Sequence, residues 1–179
     1  MKEKQRERFV VRVYGLAVHD NCLLVSDEFW FGTPMTKLPG GGLEFGEGLI
    51  DCLKRECLEE FGQEVRVQSH FYTTDYFQPA RFLPNRQLIS VYYLMQVPDP
   101  GAILTSPAPD ATATAKGPDA MHEDGLGSQH PQEGILGFRW IGLDALRPDD
   151  MTLPVDRKVV EMLLERKKVG EEGFEPPKA

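Results

Sequence analysis

Cysteine is scarce in this sequence: 3 residues among 179, at Cys22, Cys52 and Cys57. None forms a C-x-x-C pair, which excludes a disulfide framework and a zinc knuckle. The four histidines, His19, His70, His122 and His130, make no H-x-x-x-H pattern, so zinc ligation is not offered either. No apolar run approaches the ~20 residues that a membrane span needs. The opening stretch Met1 to Arg8 is dominated by charge and lacks the apolar core of a signal peptide. Positive charge is in deficit, with 20 Lys and Arg against 28 Asp and Glu, a net charge of −8. Phosphate repulsion therefore disfavours nucleic-acid polymers and anionic membranes as main partners. The expectation is a soluble, reduced, cytoplasmic protein whose acidic excess leaves room for a cation site.

The length suits one domain with one core. Phe9 to His19 is dense in apolar and β-branched residues and predicts a buried strand. Asp20-Asn21 is turn chemistry, and Cys22 to Ser26 predicts the returning arm of a hairpin. Asp27 to Thr36, with Gly32 and Pro34, reads as a loop. Pro39-Gly40-Gly41-Gly42 reads as a turn outside any strand or helix interior, because glycine there costs ~1 kcal/mol relative to alanine. Gly48 to Phe61 is the clearest helix, with Leu49, Ile50, Leu53, Cys57 and Phe61 on one stripe and Gly62 as its stop. Strands are predicted at Val65 to Phe77, Gln87 to Val97 and Leu136 to Ile141, with Trp140 in the core. A final helix runs from Val155 to Lys168 behind Pro154. Between Pro98 and Gly134 the composition turns to Pro, Ala, Thr, Gly, Asp and Ser without periodicity, which predicts a mobile insertion. The expected architecture is an α/β/α sandwich on a mixed β-sheet, one domain over residues 1–169 interrupted by that insertion, with residues 170–179 a flexible tail.

On the first helix, Glu56 and Glu60 lie about 40° apart around the axis, and Glu59 about 60° to the other side of Glu56. Three carboxylates thus share a narrow face beside the apolar stripe. Like charges at i, i+4 destabilise a helix, and Lys54 and Arg55 supply only two compensating charges. A divalent, oxygen-seeking cation such as Mg²⁺ would resolve the conflict; the plainer alternative is a solvated acidic face.

The loop in front of the helix decides between them. Loop and helix together read Gly41-x5-Glu47-x7-Arg55-Glu56-Cys57-x-Glu59-Glu60-x-Gly62-Gln63. This resembles the Nudix box, the signature of a family that hydrolyses nucleoside diphosphates linked to another moiety. Seven charged or glycine positions match, and chance agreement is on the order of 10⁻⁸ to 10⁻⁹ per register. Cys57 and Gln63 depart from the family's usual aliphatic residues. The resemblance implies that Glu56 and Glu60, with Glu59 close by, hold Mg²⁺ (or Mn²⁺) against the diphosphate, completed by the backbone carbonyl of Gly40. It implies that Arg55 pairs with Glu47 to hold the loop on the helix, away from substrate, and that Glu44 matches a further loop glutamate. The family's general base varies between a box glutamate and a later carboxylate, for which Glu123, Asp124 and Glu133 are candidates.

Substrate recognition is less legible. In the family, a proline about fifteen residues past the box accompanies ADP-ribose hydrolysis, and Pro79 stands at about that spacing. Trp30, Phe31, Tyr76, Phe77 and Phe82 are aromatic candidates for stacking a base, while Arg81 and Arg86 could meet phosphate or ribose. The implied activity is Mg²⁺-dependent cleavage of a pyrophosphate bond in a small nucleotide, with ADP-ribose-like substrates favoured; the sequence leaves room for a homodimer. The alternatives are a nucleoside triphosphate pyrophosphohydrolase and a Nudix-like nucleotide-sugar sensor without turnover.

Overall fold

The computed structural model describes residues 8–30, 32–81, 83–106 and 134–170. They fall into two compact units, the described residues of 1–17 with those of 39–98, and the described residues of 18–38 with those of 99–179.

The first unit contains most of β1 (Arg8–His19), with β4 (Gly40–Gly42), α1 (Leu49–Phe61), β5 (Arg66–Thr73) and β6 (Arg86–Gln96). Its sheet is mixed. β1 runs parallel to β6, with Arg12 opposite Ser90 and Tyr14 opposite Tyr92, while β4 is antiparallel to β1 and β5 antiparallel to β6. Parallel pairing needs a crossover, and the segment carrying α1 lies between the two strands in sequence. Tyr14, Tyr92 and Tyr72 form a row on one sheet face, with ring centroids 5.4 and 6.2 Å apart. Val13, Leu53, Cys57, Val65 and Tyr92 are fully buried. Gly15 is required by packing, since a Cβ there would lie 2.2 Å from Met95 Sδ.

Two readings of the sequence are corrected in this unit. The glycine run is a strand, not a turn: Gly40, Gly41 and Gly42 pair with Tyr14, Val13 and Arg12. Hydrogen bonds from Gly15 N to Pro39 O and from Leu43 N to Val11 O set the ladder so that the peptide groups of Gly40 and Gly42 turn away from β1. Strand β5 ends at Thr73, four residues short of the expected Phe77. Beyond it, Thr74 bonds to Ser90, and Asn85 takes φ 58° to turn the chain into β6.

The second unit contains the end of β1, with β2 (Cys22–Trp30), β3 (Thr33–Lys37), β7 (Gly134–Gly142) and α2 (Pro154–Val169). β2 is central, pairing antiparallel with β1 at its start, with β3 further on, and with β7 along its length. The expected loop at Asp27 to Thr36 is therefore mostly strand. Its charged residues mislead because they are buried as pairs. Glu28 accepts from Lys37 Nζ at 2.7 Å, Ser26 Oγ at 2.8 Å and Trp30 Nε1 at 2.6 Å. Asp27 pairs with Arg139 and accepts from Thr36 Oγ1 at 2.7 Å. Such ions are tolerated inside because every partner is supplied.

α2 begins with Pro154 in its first turn and ends at Gly170, φ 69°; Val155, Val159, Val160 and Leu163 are its buried apolar residues. Trp140, expected in the core, is half-buried with its ring edge against His19. Within the segment read as an insertion, Asp99 caps a 3₁₀ turn over Pro100–Ala102, Ile103 is buried, and Thr105 bridges to Phe138. Residues 107–133 and 171–179 lie outside the described residues. No helix among the described residues is long and apolar enough to cross a membrane.

Candidate active site

Helix α1 starts at Gly48 without a side-chain cap and stops where Gly62 takes φ 75° and donates to Leu58 O. Its buried residues are Cys52, Leu53, Glu56 and Cys57. Ile50 and Leu58 are exposed. The inward stripe is thus rotated from the expected one and takes in a carboxylate. Glu56 is 6% exposed, whereas Glu59 stands in solvent and Glu60 is half-buried.

Arg55 joins this helix to the loop in front of it. Nε donates to Glu47 Oε2 at 3.1 Å and Nη2 to Glu47 Oε1 at 2.8 Å, a bidentate pair. Nη2 also donates to the Gly42 carbonyl at 3.0 Å. Nη1 donates to Glu56 Oε1 at 3.1 Å and Glu59 Oε2 at 3.2 Å. A guanidinium has five N–H bonds, and these five contacts use them all. Glu47 further accepts from Glu44 N at 2.7 Å, closing the loop on itself. Cys52, beneath them, donates its thiol to Gly42 O at 3.3 Å; burial, reinforced by Glu47, pushes that thiol up to about 12, so it stays protonated.

The electrostatics divide the glutamates into two kinds. Glu47, hydrogen-bonded to Arg55, is lowered from 4.5 to about 2. Glu56 is raised, because burial outweighs the attraction of Arg55 and Arg12, and Glu59 adds repulsion. Its carboxylate lies directly over Gly41: a Cβ at that position would sit 2.2 Å from Glu56 Cδ and 2.3 Å from each oxygen. Glu60 Oε2 accepts from Gly40 N at 3.1 Å. The glycine strand therefore serves as the floor on which the helix carboxylates rest.

A pH prediction follows from Glu47. A folded-state pKa below the unfolded one contributes stability that is complete above about 4.5 and lost as pH falls toward about 2. Full loss of the shift is on the order of 3 kcal/mol. Urea unfolding of wild type and Glu47→Gln should therefore differ most above pH 4.5 and converge near pH 2. A gap that does not change with pH would remove Glu47 from the ion pair.

The structure brings Glu47, Arg55, Glu56 and Glu59 into one network and ties Glu60 to Gly40. Glu44 lies at its edge, 4.0 Å from Arg55. Among the described residues, no three His, Cys, Asp or Glu side chains converge as a ready-formed metal cluster; Arg55 holds the central position instead. Tyr76, Pro79 and Arg81 lie on the connection between β5 and β6, where Pro79 bridges to Gln87, and Arg86 opens β6. Trp30 belongs to the second unit, where its indole serves Glu28. Phe31, Phe82, Glu123, Asp124 and Glu133 lie outside the described residues.

Sequence reasoning misses Cys52, Gly41's contact with Glu56, and Arg12. Arg12 stands in β1 opposite Gly42; its Nε donates to Tyr14 Oη at 2.6 Å and its charge acts on Glu56. The available signal was a lone cation inside the apolar run Val10-Val11-Arg12-Val13.

Comparison with known proteins bears on the family and the fold. The NUDIX domain matches residues 6–163. No curated protein matches the chain in sequence. Among solved structures, a NUDIX hydrolase from Nitrosomonas europaea is similar, with 20% identity, 90% of this chain and 89% of that one covered, and a TM-score of 0.59. A MutT protein from Methanosarcina mazei Go1 shares 15% identity over 92% of this chain and 99% of its own, TM-score 0.56. An ADP-ribose pyrophosphatase from Streptococcus suis shares 16% over 93% and 96%, TM-score 0.53. These similarities reach the mixed-sheet α/β fold with its two helices. The domain match spans both compact units and the whole loop and helix built around Arg55, and the chain belongs to the Nudix family of hydrolases acting on pyrophosphate bonds.

Proposed function

We propose that the protein is a Mg²⁺-dependent hydrolase of a nucleoside diphosphate linked to another moiety, with ADP-ribose-like substrates favoured. The observation that supports this reading best is the Arg55 network, which fixes the glycine strand, Glu47, Glu56 and Glu59 in one piece. Glu56, Glu59 and Glu60 are the carboxylates assigned to the cation, with the Gly40 carbonyl as a backbone ligand. This donor set is all oxygen, as Mg²⁺ prefers. It includes one buried carboxylate whose charge is penalised by desolvation, a penalty a cation would relieve. Mn²⁺ would substitute.

When bound, the cation would screen the phosphate charges and lower the pKa of the attacking water. The chain's own part is positioning. Arg55 and Glu47 hold loop against helix, Gly41 leaves room for the Glu56 carboxylate to lie against the strand, and Gly40 N donates to Glu60. For the leaving moiety, Pro79 at the start of the return into β6 supports an ADP-ribose-like substrate, and Tyr76, Arg81, Arg86 and Trp30 are assigned to substrate on the grounds of residue type.

Two measurements test this reading. The melting temperature should rise with free Mg²⁺ or Mn²⁺ by mass action, and a melting curve indifferent to millimolar cation would count against the metal. ADP-ribose incubated with Mg²⁺ should yield AMP and a sugar phosphate. Turnover of nucleoside triphosphates alone, to a nucleoside monophosphate and pyrophosphate, would reassign the substrate class.

A further inference from the structure

We propose that Cys52 is a positioning residue for hydrolysis at this site: its thiol, tied to the Gly42 carbonyl, holds the outer edge of the glycine strand against α1 and so keeps the Glu56 carboxylate in place. The inference rests on the role assigned to Glu56 above and adds to it an uncharged residue beneath the ion-pair network.

Three consecutive glycines make a freely turning backbone, so the shape of β4 has to be imposed from its two edges. β1 supplies one of them, through the pairing of Gly41 with Val13. On the outer edge, where the peptide groups of Gly40 and Gly42 turn away from β1, the partners come from α1. Gly40 N donates to Glu60 Oε2 at 3.1 Å, and Gly42 O accepts from Arg55 Nη2 at 3.0 Å and from Cys52 Sγ at 3.3 Å. A carbonyl oxygen has two lone pairs, and the helix fills both. Cys52 and Arg55 stand three residues apart, which makes them neighbours on one helix face, and the two donors reach the same oxygen side by side.

These donors are not equivalent. Arg55 also holds Glu47, Glu56 and Glu59. Two of those carboxylates are assigned to the cation, so the pull of Arg55 on Gly42 changes whenever charge arrives at the site or leaves it. Cys52 carries no charge and is fully buried. Burial keeps the thiol from reacting, so its part is geometric, and its tie to β4 is the one that stays constant. What it steadies is next door. The Glu56 carboxylate lies on Gly41 with no room for even a Cβ between them, so a shift of Gly42 passes directly to the carboxylate.

The test is steady-state turnover of ADP-ribose with Mg²⁺, or of a nucleoside triphosphate if that is what the wild type hydrolyses, in Cys52→Ala and Cys52→Ser. Rates are taken well below the melting temperature, which is measured alongside. Both substitutions shrink the side chain and should lower the melting temperature by similar amounts, but only serine keeps a donor. Cys52→Ala should lose roughly threefold to tenfold in kcat, a fraction of the ~10²-fold that a displacement of ~1 Å costs, with KM unchanged. Cys52→Ser should recover most of the lost rate without recovering the melting temperature; it also serves if Cys52→Ala fails to fold. A kcat equal to wild type in both variants, or an equal fall in the two, overturns the role of the thiol while leaving the functional reading intact. A wild type that hydrolyses neither compound overturns both.

Discussion

Replacing Glu56 with glutamine should lower turnover by ~10²–10⁴-fold while leaving the protein folded. Glutamine keeps the size and hydrogen-bonding shape of the side chain and removes only the charge assigned to the cation. That charge matters most where negative charge grows at phosphorus, so the loss should appear in kcat. The same variant should melt at a higher temperature than wild type when metal is absent. The reason lies in the sign of its titration: burial raises Glu56 in the folded state, so folding loses stability as pH rises through that range, and a neutral side chain escapes the loss. Loss of activity with gain of metal-free stability is the signature of a group kept for function. Near-normal turnover in Glu56→Gln on a confirmed substrate would contradict the assignment.

The second large effect concerns two adjacent glycines that should fail differently. Gly41→Ala puts a Cβ 2.2 Å from Glu56 Cδ, a separation that forces the carboxylate to move by most of an ångström. The moving atom is the end of a flexible side chain, so the fold should survive with little change in melting temperature. The carboxylate should not keep its place, and a displacement of ~1 Å at a reacting centre costs ~10²-fold in rate. Gly40→Ala meets backbone instead: its Cβ would lie 2.2 Å from Val13 O, and φ at this residue is +125°. Backbone strain of this kind costs ~1–3 kcal/mol before the steric conflict is added, so Gly40→Ala should melt clearly below wild type. Thermal melts and turnover of the two variants separate them. Equal melting temperatures would mean that β4 does not pair with β1 as described.

These glycines also show where the sequence could and could not be read. The helix was legible because its information is local: apolar residues at three- and four-residue spacing, a glycine at each end, and carboxylates whose angular positions follow from number alone. The site's spacing was legible for the same reason, since loop and helix are contiguous. Strand β4 was not, because three glycines carry no alternation; they form a strand because Val13 supplies the ladder and Glu56 needs the space above Gly41. Strand β3 and the end of β2 were hidden by charge. Asp27, Glu28 and Lys37 look like loop residues until Arg139, more than a hundred residues away, pairs with the first and the other two pair with each other. The influence of Arg12 on Glu56 is hidden for a related reason, in that its partners in register, Gly42 and Ser90, are distant in the chain.

The reading turns on whether the carboxylates of α1 hold a divalent cation. Mn²⁺ titration followed by electron paramagnetic resonance measures this without any substrate. The account predicts that wild type takes up Mn²⁺, that Mg²⁺ competes for the same place, and that Glu56→Gln and Glu60→Gln each weaken the binding by tenfold or more. Mn²⁺ uptake that is unchanged in both variants, or absent from the wild type, would contradict it.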